Sequence, residues 1–105
     1  MAAVSGDSVG SRAIWMGETH MAPRATSGPH HHGTSETGIY IVAGHPEFIY
    51  KDGGQEVRLR TKPGDYIYIP PSVHHIESNA HSDDEAVVVI ARTTQEAIVE
   101  NLDTL

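Results

Sequence analysis

The 105-residue sequence contains no cysteine, which excludes disulfide bonds and thiolate chemistry. Positive charge is also scarce, since seven lysines and arginines face fourteen aspartates and glutamates, for a formal net charge of −7. This imbalance disfavours nucleic acid and anionic membrane surfaces as partners. No apolar run approaches the ~20 residues of a membrane span, and the N-terminus has no signal-peptide pattern. We therefore expect a cytoplasmic protein that contacts neither nucleic acid nor membrane.

The length corresponds to a single domain. Residues 1–10 are small and polar, so we expect a flexible N-terminal arm there and one folded domain over residues 11–105. Eight histidines in a chain of this length are the unusual feature of the composition. They call for a chemical explanation.

Short apolar segments recur between turn residues, a rhythm typical of all-β sandwiches and barrels. The strongest predicted strand is 37–43 (TGIYIVA), because its residues are largely β-branched and aromatic. The other predicted strands are 14–16, 18–22, 47–51, 56–61, 66–69, 75–79 and 85–92. Residues 95–102 are predicted to form a final strand or a short helix, with strand favoured.

Two histidine clusters suggest chemistry. His30 and His32 lie two residues apart, so both imidazoles point to one face of an extended segment. Glu36 follows, and His75 comes some forty residues later. Neutral imidazoles with one carboxylate form a ligand set for a divalent transition metal. Any one of these histidines alone would be read as a surface residue, but the combination predicts a metal site.

The two clusters resemble the two sequence motifs of the cupin superfamily. The positions that match the first motif are His30, His32, Glu36 and Gly44. Those that match the second are Gly64, Pro70, His75 and Asn79. The short insert between Gly44 and Gly64 is similar to that of small single-domain members. The resemblance implies an all-β double-stranded β-helix, a jelly-roll barrel with a metal ion inside one end.

Three positions depart from the motifs. Arg24 stands where the first motif opens with glycine, and Ser72 replaces the inner glycine of the second, so that turn must avoid positive φ or accept strain. Glu36 also lies one residue too far from Gly44. Either a bulge lets Glu36 bind the metal, or Thr37 takes the ligand position and water completes a three-histidine site. We favour Glu36, because a carboxylate is a better donor than a neutral hydroxyl.

The neighbouring titratable residues receive lesser roles. His31 has the opposite parity to His30 and His32, so we expect it outside the barrel; His74 precedes the motif position, so we expect it outside the barrel or at its mouth. Glu77 shares the face of His75 on a strand. It is a candidate proton carrier, although we interpret it first as a surface carboxylate.

The resemblance implies a metal-binding protein with one divalent ion (Fe, Mn, Ni or Zn) held by His30, His32, Glu36 and His75. Cupins with this ligand set include dioxygenases, decarboxylases, isomerases and lyases, so we expect a metalloenzyme that acts on a small organic substrate, without a readable reaction class. The alternative is a non-catalytic module that binds a small ligand, or an accessory domain of a longer biosynthetic enzyme.

Small cupins are commonly homodimers, and residues 85–92 are too apolar for an outer edge strand. We therefore expect a homodimer that buries part of this segment or of the N-terminal strand.

Overall fold

The computed structural model describes residues 2–105, and Met1 lies outside them. The strands in chain order are β1 (Ala2–Val4), β2 (Trp15–Met21), β3 (His30–His31), β4 (Thr37–Ala43), β5 (Glu47–Asp52), β6 (Gln55–Arg60), β7 (Tyr66–Ile69), β8 (Ile76–Ser78), β9 (Ala86–Arg92) and β10 (Glu100–Asn101). One helical turn, α1, covers Gly6–Val9. No helix in the described residues has the length and apolar character needed to cross a membrane.

The strands form three antiparallel sheets that together make a double-stranded β-helix, as predicted. The largest has the order β1-β2-β9-β4-β7, a second has β6-β5-β8, and the third is the pair β10-β3. Alternate side chains of β4, β7 and β9 point inward, and the first three residues of β5 are all buried. The buried core cluster consists of Ile39, Ile41, Phe48, Ile69 and Val88. The core therefore lies between the large sheet and β5.

Several predicted strands differ in extent from the observed ones. The segments predicted at 14–16 and 18–22 are one strand, because buried Gly17 pairs with Ile90 of β9 without a break in the register. Of residues 95–102, only Glu100–Asn101 are strand. The strands over 37–43 and 66–69 have the predicted bounds.

The N-terminal segment, expected to be a flexible arm over residues 1–10, contains a strand and a helical turn and is hydrogen-bonded to the barrel. β1 pairs with β2, and Ser5 is the N-cap of α1, with a reciprocal side-chain capping box to Ser8. The Gly6 N–H donates to Oε1 of Gln95 at 2.6 Å. These contacts give backbone donors of the segment partners in the barrel, and the flexibility of residues 1–10 stays a prediction; Met1, also part of that expectation, lies outside the described residues.

Strand β9 lies in the interior of its sheet, between β2 and β4. Both of its edges are hydrogen-bonded within the chain, and Ala86 and Val88 are buried. The apolar character of residues 85–92 is therefore explained by the fold, and it no longer argues for a dimer interface there. The homodimer itself stays a prediction.

Candidate metal centre

A backbone bridge joins the two histidine motifs. The His30 N–H donates to the His75 carbonyl at 3.0 Å, and the His75 N–H donates to the His30 carbonyl at 2.9 Å. Directly opposed residues of an antiparallel pair project their side chains to the same face. Both side chains are buried, with relative exposures of 5% and 3%, and their ring centroids lie 4.4 Å apart. The bridge thus converts two distant sequence motifs into one site.

His32 joins this pair, as its parity predicts. Its ring centroid lies 4.9 Å from that of His30 and 5.0 Å from that of His75. The structure therefore brings together the three histidines that the sequence singled out.

Backbone acceptors orient all three rings. Each donates from Nδ1 to a carbonyl oxygen: His30 to Gly28 (2.8 Å), His32 to Ile98 (2.7 Å) and His75 to Val73 (2.9 Å). Because a carbonyl only accepts, Nδ1 carries the proton and Nε2 of the neutral ring carries a lone pair. Nε2 of His75 is buried without a hydrogen-bond partner. A buried lone pair that meets no hydrogen-bond donor can be satisfied by a bound metal ion, so these residues fit a metal.

Glu77 supplies the carboxylate of the cluster. It lies on β8 two residues after His75, and its Oε1 is 3.6 Å from Nε2 of His75. One ligand atom from each of four residues lies within 4.8 Å of the others, the four being His30, His32, His75 and Glu77. The donor set is three imidazoles and one carboxylate, as expected, but the carboxylate is a different one.

The preference for Glu36 as the carboxylate ligand needs correction. Glu36 is exposed, and its Oε1 accepts a hydrogen bond from the Tyr68 hydroxyl at 2.7 Å. Thr37 begins β4 and is buried, and the alternation from Thr37 through Ile41 is regular, so the preceding side chain points outward. A bulge does exist, between Ile41 and Ala43, but it lies too far along β4 to turn Glu36 inward. Thr37 takes the inward position.

The signal that identifies Glu77 is in the sequence. Glu77 shares the face of His75 by strand alternation, and that parity is the same argument that pairs His30 with His32. The parity argument places the side chain of Glu77 correctly, on the face of His75. Glu77 was nevertheless expected to be a surface carboxylate or a proton carrier, because the motif spacing favoured Glu36 as the metal ligand.

The electrostatics of the cluster suit a cation. Burial lowers the pKa of His32, which favours the neutral ring that ligation requires. Burial alone would raise the pKa of Glu77, but the imidazoles of His75, His30 and His32 outweigh it and the pKa is lowered. Burial likewise lowers the pKa of His75, but Glu77 and the Val73 carbonyl together outweigh it and the pKa is raised. A proton and a metal ion therefore compete for the same position.

A cavity of about 100 Å³ adjoins the cluster. Its walls combine cluster residues, two hydroxyls, one cation and apolar side chains: His32, Ser35, Thr37, Glu77, Ile90, Arg92, Ala97, Ile98 and Val99. Ile98 both borders this cavity and holds the ring of His32 through its carbonyl. We call residues 93–102, which include the wall residues Ala97, Ile98 and Val99, the closing segment.

The closing segment is fixed to the first histidine motif. Glu100 pairs with His31 and Asn101 with His30 in the β10-β3 sheet, and the Leu102 N–H donates to the Pro29 carbonyl at 2.9 Å. No residue-specific signal predicts this role, because the contacts are made by backbone atoms that every residue type has.

Fold and cluster together define a metal-binding double-stranded β-helix protein. A family model described as a cupin domain matches residues 17–91, so the chain belongs to the cupin family. A search of curated proteins found no match.

Solved structures with the same fold include enzymes that act on oxalate. One is an oxalate oxidase in complex with the substrate analogue glycolate (20% identity, TM-score 0.73, covering 86% of this chain and 46% of that one). Another is the formate complex of a Lactobacillus farciminis oxalate decarboxylase (18%, TM-score 0.78, 94% and 30%). A third is an uncharacterised Klebsiella pneumoniae protein with a double-stranded β-helix domain (15%, TM-score 0.72, 94% and 78%). This chain spans less than half the length of either oxalate enzyme, and identities this low show the fold alone.

Proposed function

We propose that the protein is a metalloenzyme that binds one divalent transition ion through Nε2 of His30, His32 and His75 and the carboxylate of Glu77. The observation that carries the proposal is the orientation of the rings. Three Nδ1–carbonyl hydrogen bonds direct three Nε2 lone pairs into the space that Glu77 also faces. Iron, manganese, nickel and zinc all accept such a donor set.

An ion held by His30, His32, His75 and Glu77 would supply Lewis-acid polarisation of a small molecule or, for a redox metal, oxygen chemistry. The protein's own part is to hold the imidazoles in fixed orientation through their Nδ1 hydrogen bonds, and to enclose the ligand in the adjoining cavity. The crystal complexes of structural neighbours with glycolate and formate support a small organic substrate.

The second candidate is a non-catalytic module that binds a small ligand. It is favoured by the composition of the cavity wall, in which Glu77 is the only carboxylate among the described residues. Because Glu77 is assigned to the metal, the wall offers no separate carboxylate as a general base. Reactions that need only polarisation by the ion remain open to this site.

Metal analysis of protein purified without chelator tests the proposal. We expect about one equivalent of metal, and competition titration with zinc should show loss of affinity in His75→Ala and Glu77→Gln. Glu36→Gln is the matched control, because it removes the same charge from the outer surface. Equal retention of zinc by wild type and both cluster variants would contradict the metal centre. A metal-loaded protein that binds glycolate, glyoxylate and oxalate but does not convert them in the presence of oxygen would favour the binding module.

A further inference from the structure

Arg92 is the cation of the cavity wall. It is the last residue of β9, and it shares the inward parity of buried Val88 and of Ile90, which borders the same cavity. The cavity therefore has cluster residues His32 and Glu77 on one part of its wall and a guanidinium on another.

The partners of Arg92 position it without neutralising it. Nε donates to the Thr94 carbonyl at 3.1 Å, Nη2 donates to the Gln95 carbonyl at 3.0 Å, and the guanidinium carbon lies 3.8 Å from the centroid of the Trp15 ring. A guanidinium has five N–H donors, so these two bonds leave three unused. The side chain is therefore fixed in position, and its remaining N–H donors are available to a ligand.

No carboxylate lies within ion-pairing distance of Arg92 in residues 2–105. Other cations of the chain are paired, Arg24 with Asp83 and Lys62 with Asp65. The cations without a pair, apart from Arg92, are the exposed Arg12, Lys51 and Arg60. Arg92 differs because it is partly buried, and burial lowers its pKa by penalising the charged form. In a protein of net charge −7, a partly desolvated cation without a counter-ion faces a cavity.

The remaining wall limits what could neutralise this charge. Ser35 and Thr37 contribute hydroxyls, while Ile90, Ile98 and Val99 are apolar. A volume of about 100 Å³ accommodates roughly half a dozen non-hydrogen atoms. The space suits a small anion with a short carbon skeleton and excludes sugars and nucleotides.

We propose that Arg92 is the anion-binding residue of this cavity and that the ligand taken beside the metal centre is a small carboxylate of roughly two to four carbon atoms. The proposal rests on the proposed function, since it places the ligand next to the metal. It adds the substrate class and the residue that selects it. A carboxylate matches the fork of guanidinium donors, and the hydroxyls accommodate a second polar group.

The test uses the full chain loaded with zinc, which is redox-inert, and calorimetric titration with glycolate and with its neutral isostere glycolamide. Glycolate should bind at least about ten-fold more tightly than glycolamide, because charge-assisted hydrogen bonds to arginine contribute only to the anion. Arg92→Gln should weaken glycolate binding by about ten-fold or more and leave zinc affinity within about three-fold. Arg12→Gln, which removes the same charge from an exposed site, should leave glycolate affinity unchanged.

A measurement on the wild-type chain covers the case in which Arg92→Gln does not fold. The Nε–H resonance of Arg92, assigned by its loss in Arg92→Lys, should shift on addition of glycolate to the zinc-loaded protein and stay in place with glycolamide. Glycolate binding that ignores Arg92→Gln, or a resonance that does not move, would overturn the assignment while leaving the metal centre intact. Failure of the wild type to bind zinc would instead overturn the proposed function.

Discussion

Histidines of the same two sequence clusters occupy opposite environments in the barrel. The inner histidines, His30, His32 and His75, donate from Nδ1 to carbonyls and present Nε2 to the interior. The outer histidines, His31 and His74, stack on each other with ring centroids 5.2 Å apart at 16°. Residues adjacent in sequence are thus divided between inside and outside by strand parity alone.

The hydrogen bonds of His31 are the reverse of those of the inner histidines. Nδ1 of His31 accepts from the Gly33 N–H at 3.0 Å, so its proton is on Nε2, which lies 3.0 Å from the Glu100 carboxylate. The lone pair of His31 is therefore used within the protein, whereas those of the inner histidines are directed at a common point. Residue type alone does not make a ligand; parity and the partner of the second nitrogen decide.

Removing an inner histidine should have the largest effect. His75→Ala should lower zinc affinity by more than about 100-fold, because it removes a first-coordination ligand where even the loss of a supporting partner costs 10–100-fold. His74→Ala, next to it in sequence, should change zinc affinity by less than about three-fold. Competition titration with a chromophoric chelator measures both, and similar losses in the two variants would contradict the division into inner and outer histidines.

Removing the carboxylate should have the next effect. Glu77→Gln should weaken zinc binding by about ten-fold or more, since it removes a ligand charge and keeps the shape. Glu36→Gln should leave zinc affinity unchanged and should instead lower the pKa of Tyr68. That pKa is raised by the hydrogen bond to Glu36, and spectrophotometric titration of the phenol follows it. If zinc affinity fell in Glu36→Gln and not in Glu77→Gln, Glu36 would be the carboxylate ligand, as the motif spacing predicts.

Shortening the closing segment tests the support of His32. Deletion of residues 97–105 removes the Ile98 carbonyl that fixes its Nδ1, so zinc affinity should fall by about 10–100-fold. Deletion of residues 103–105 is the control, because it spares both Ile98 and β10. Equal affinities of the two truncated proteins, measured by the same competition titration, would show that this carbonyl is dispensable.

The fold was predictable because its strands alternate or are wholly apolar, and turn residues separate them. Residues 37–43 and 66–69 show this most clearly, with bounds that match the predicted ones. The prediction of two strands, 14–16 and 18–22, failed at Gly17, a residue type of low β-propensity that lies within β2. Pairing with Ile90 in the middle of the sheet overrides that propensity, and sequence does not reveal such tertiary pairing.

The site was predictable to the extent that it depends on parity. Parity placed His30, His32 and Glu77 correctly, while the motif spacing misplaced Glu36. The support from the Ile98 carbonyl was beyond sequence reasoning, because a backbone oxygen carries no residue-specific signal. Arg92 was overlooked because it lies outside both motifs, on a strand whose apolar run suggested only burial.

Substitutions of Ser72, in the turn that links the two histidine clusters, should have a smaller effect, and on stability instead of zinc affinity. Ser72 adopts φ 62°, where the cupin motif has glycine; its N–H donates to the Gly33 carbonyl at 2.7 Å and its Oγ at 3.1 Å. Ser72→Ala loses the hydroxyl bond and keeps the strain, whereas Ser72→Gly loses the bond and relieves the strain. The glycine variant should therefore be more stable than the alanine variant by about 1 kcal/mol in chemical denaturation. Zinc affinity should not change in either, because both keep the N–H bond to Gly33.

The smallest effect is expected at His20, a histidine outside both clusters and exposed on β2. Hydrogen bonds to Glu18 and then Glu85, at 3.0 and 2.7 Å, raise its pKa above the ordinary value of 6.5. Because the folded-state pKa is the higher one, the stabilisation by protonated His20 is complete below pH 6.5 and is lost as pH rises through the folded pKa. Glu85→Gln should lower the pKa of His20 toward 6.5 in an NMR titration. It should also reduce the small fall in melting temperature that the loss of this stabilisation causes as the pH rises through the pKa of His20. Glu96→Gln, which removes an exposed carboxylate elsewhere, should do neither. A His20 that titrates near 6.5 in the wild type would show that these carboxylates act on it too weakly to matter at an exposed site.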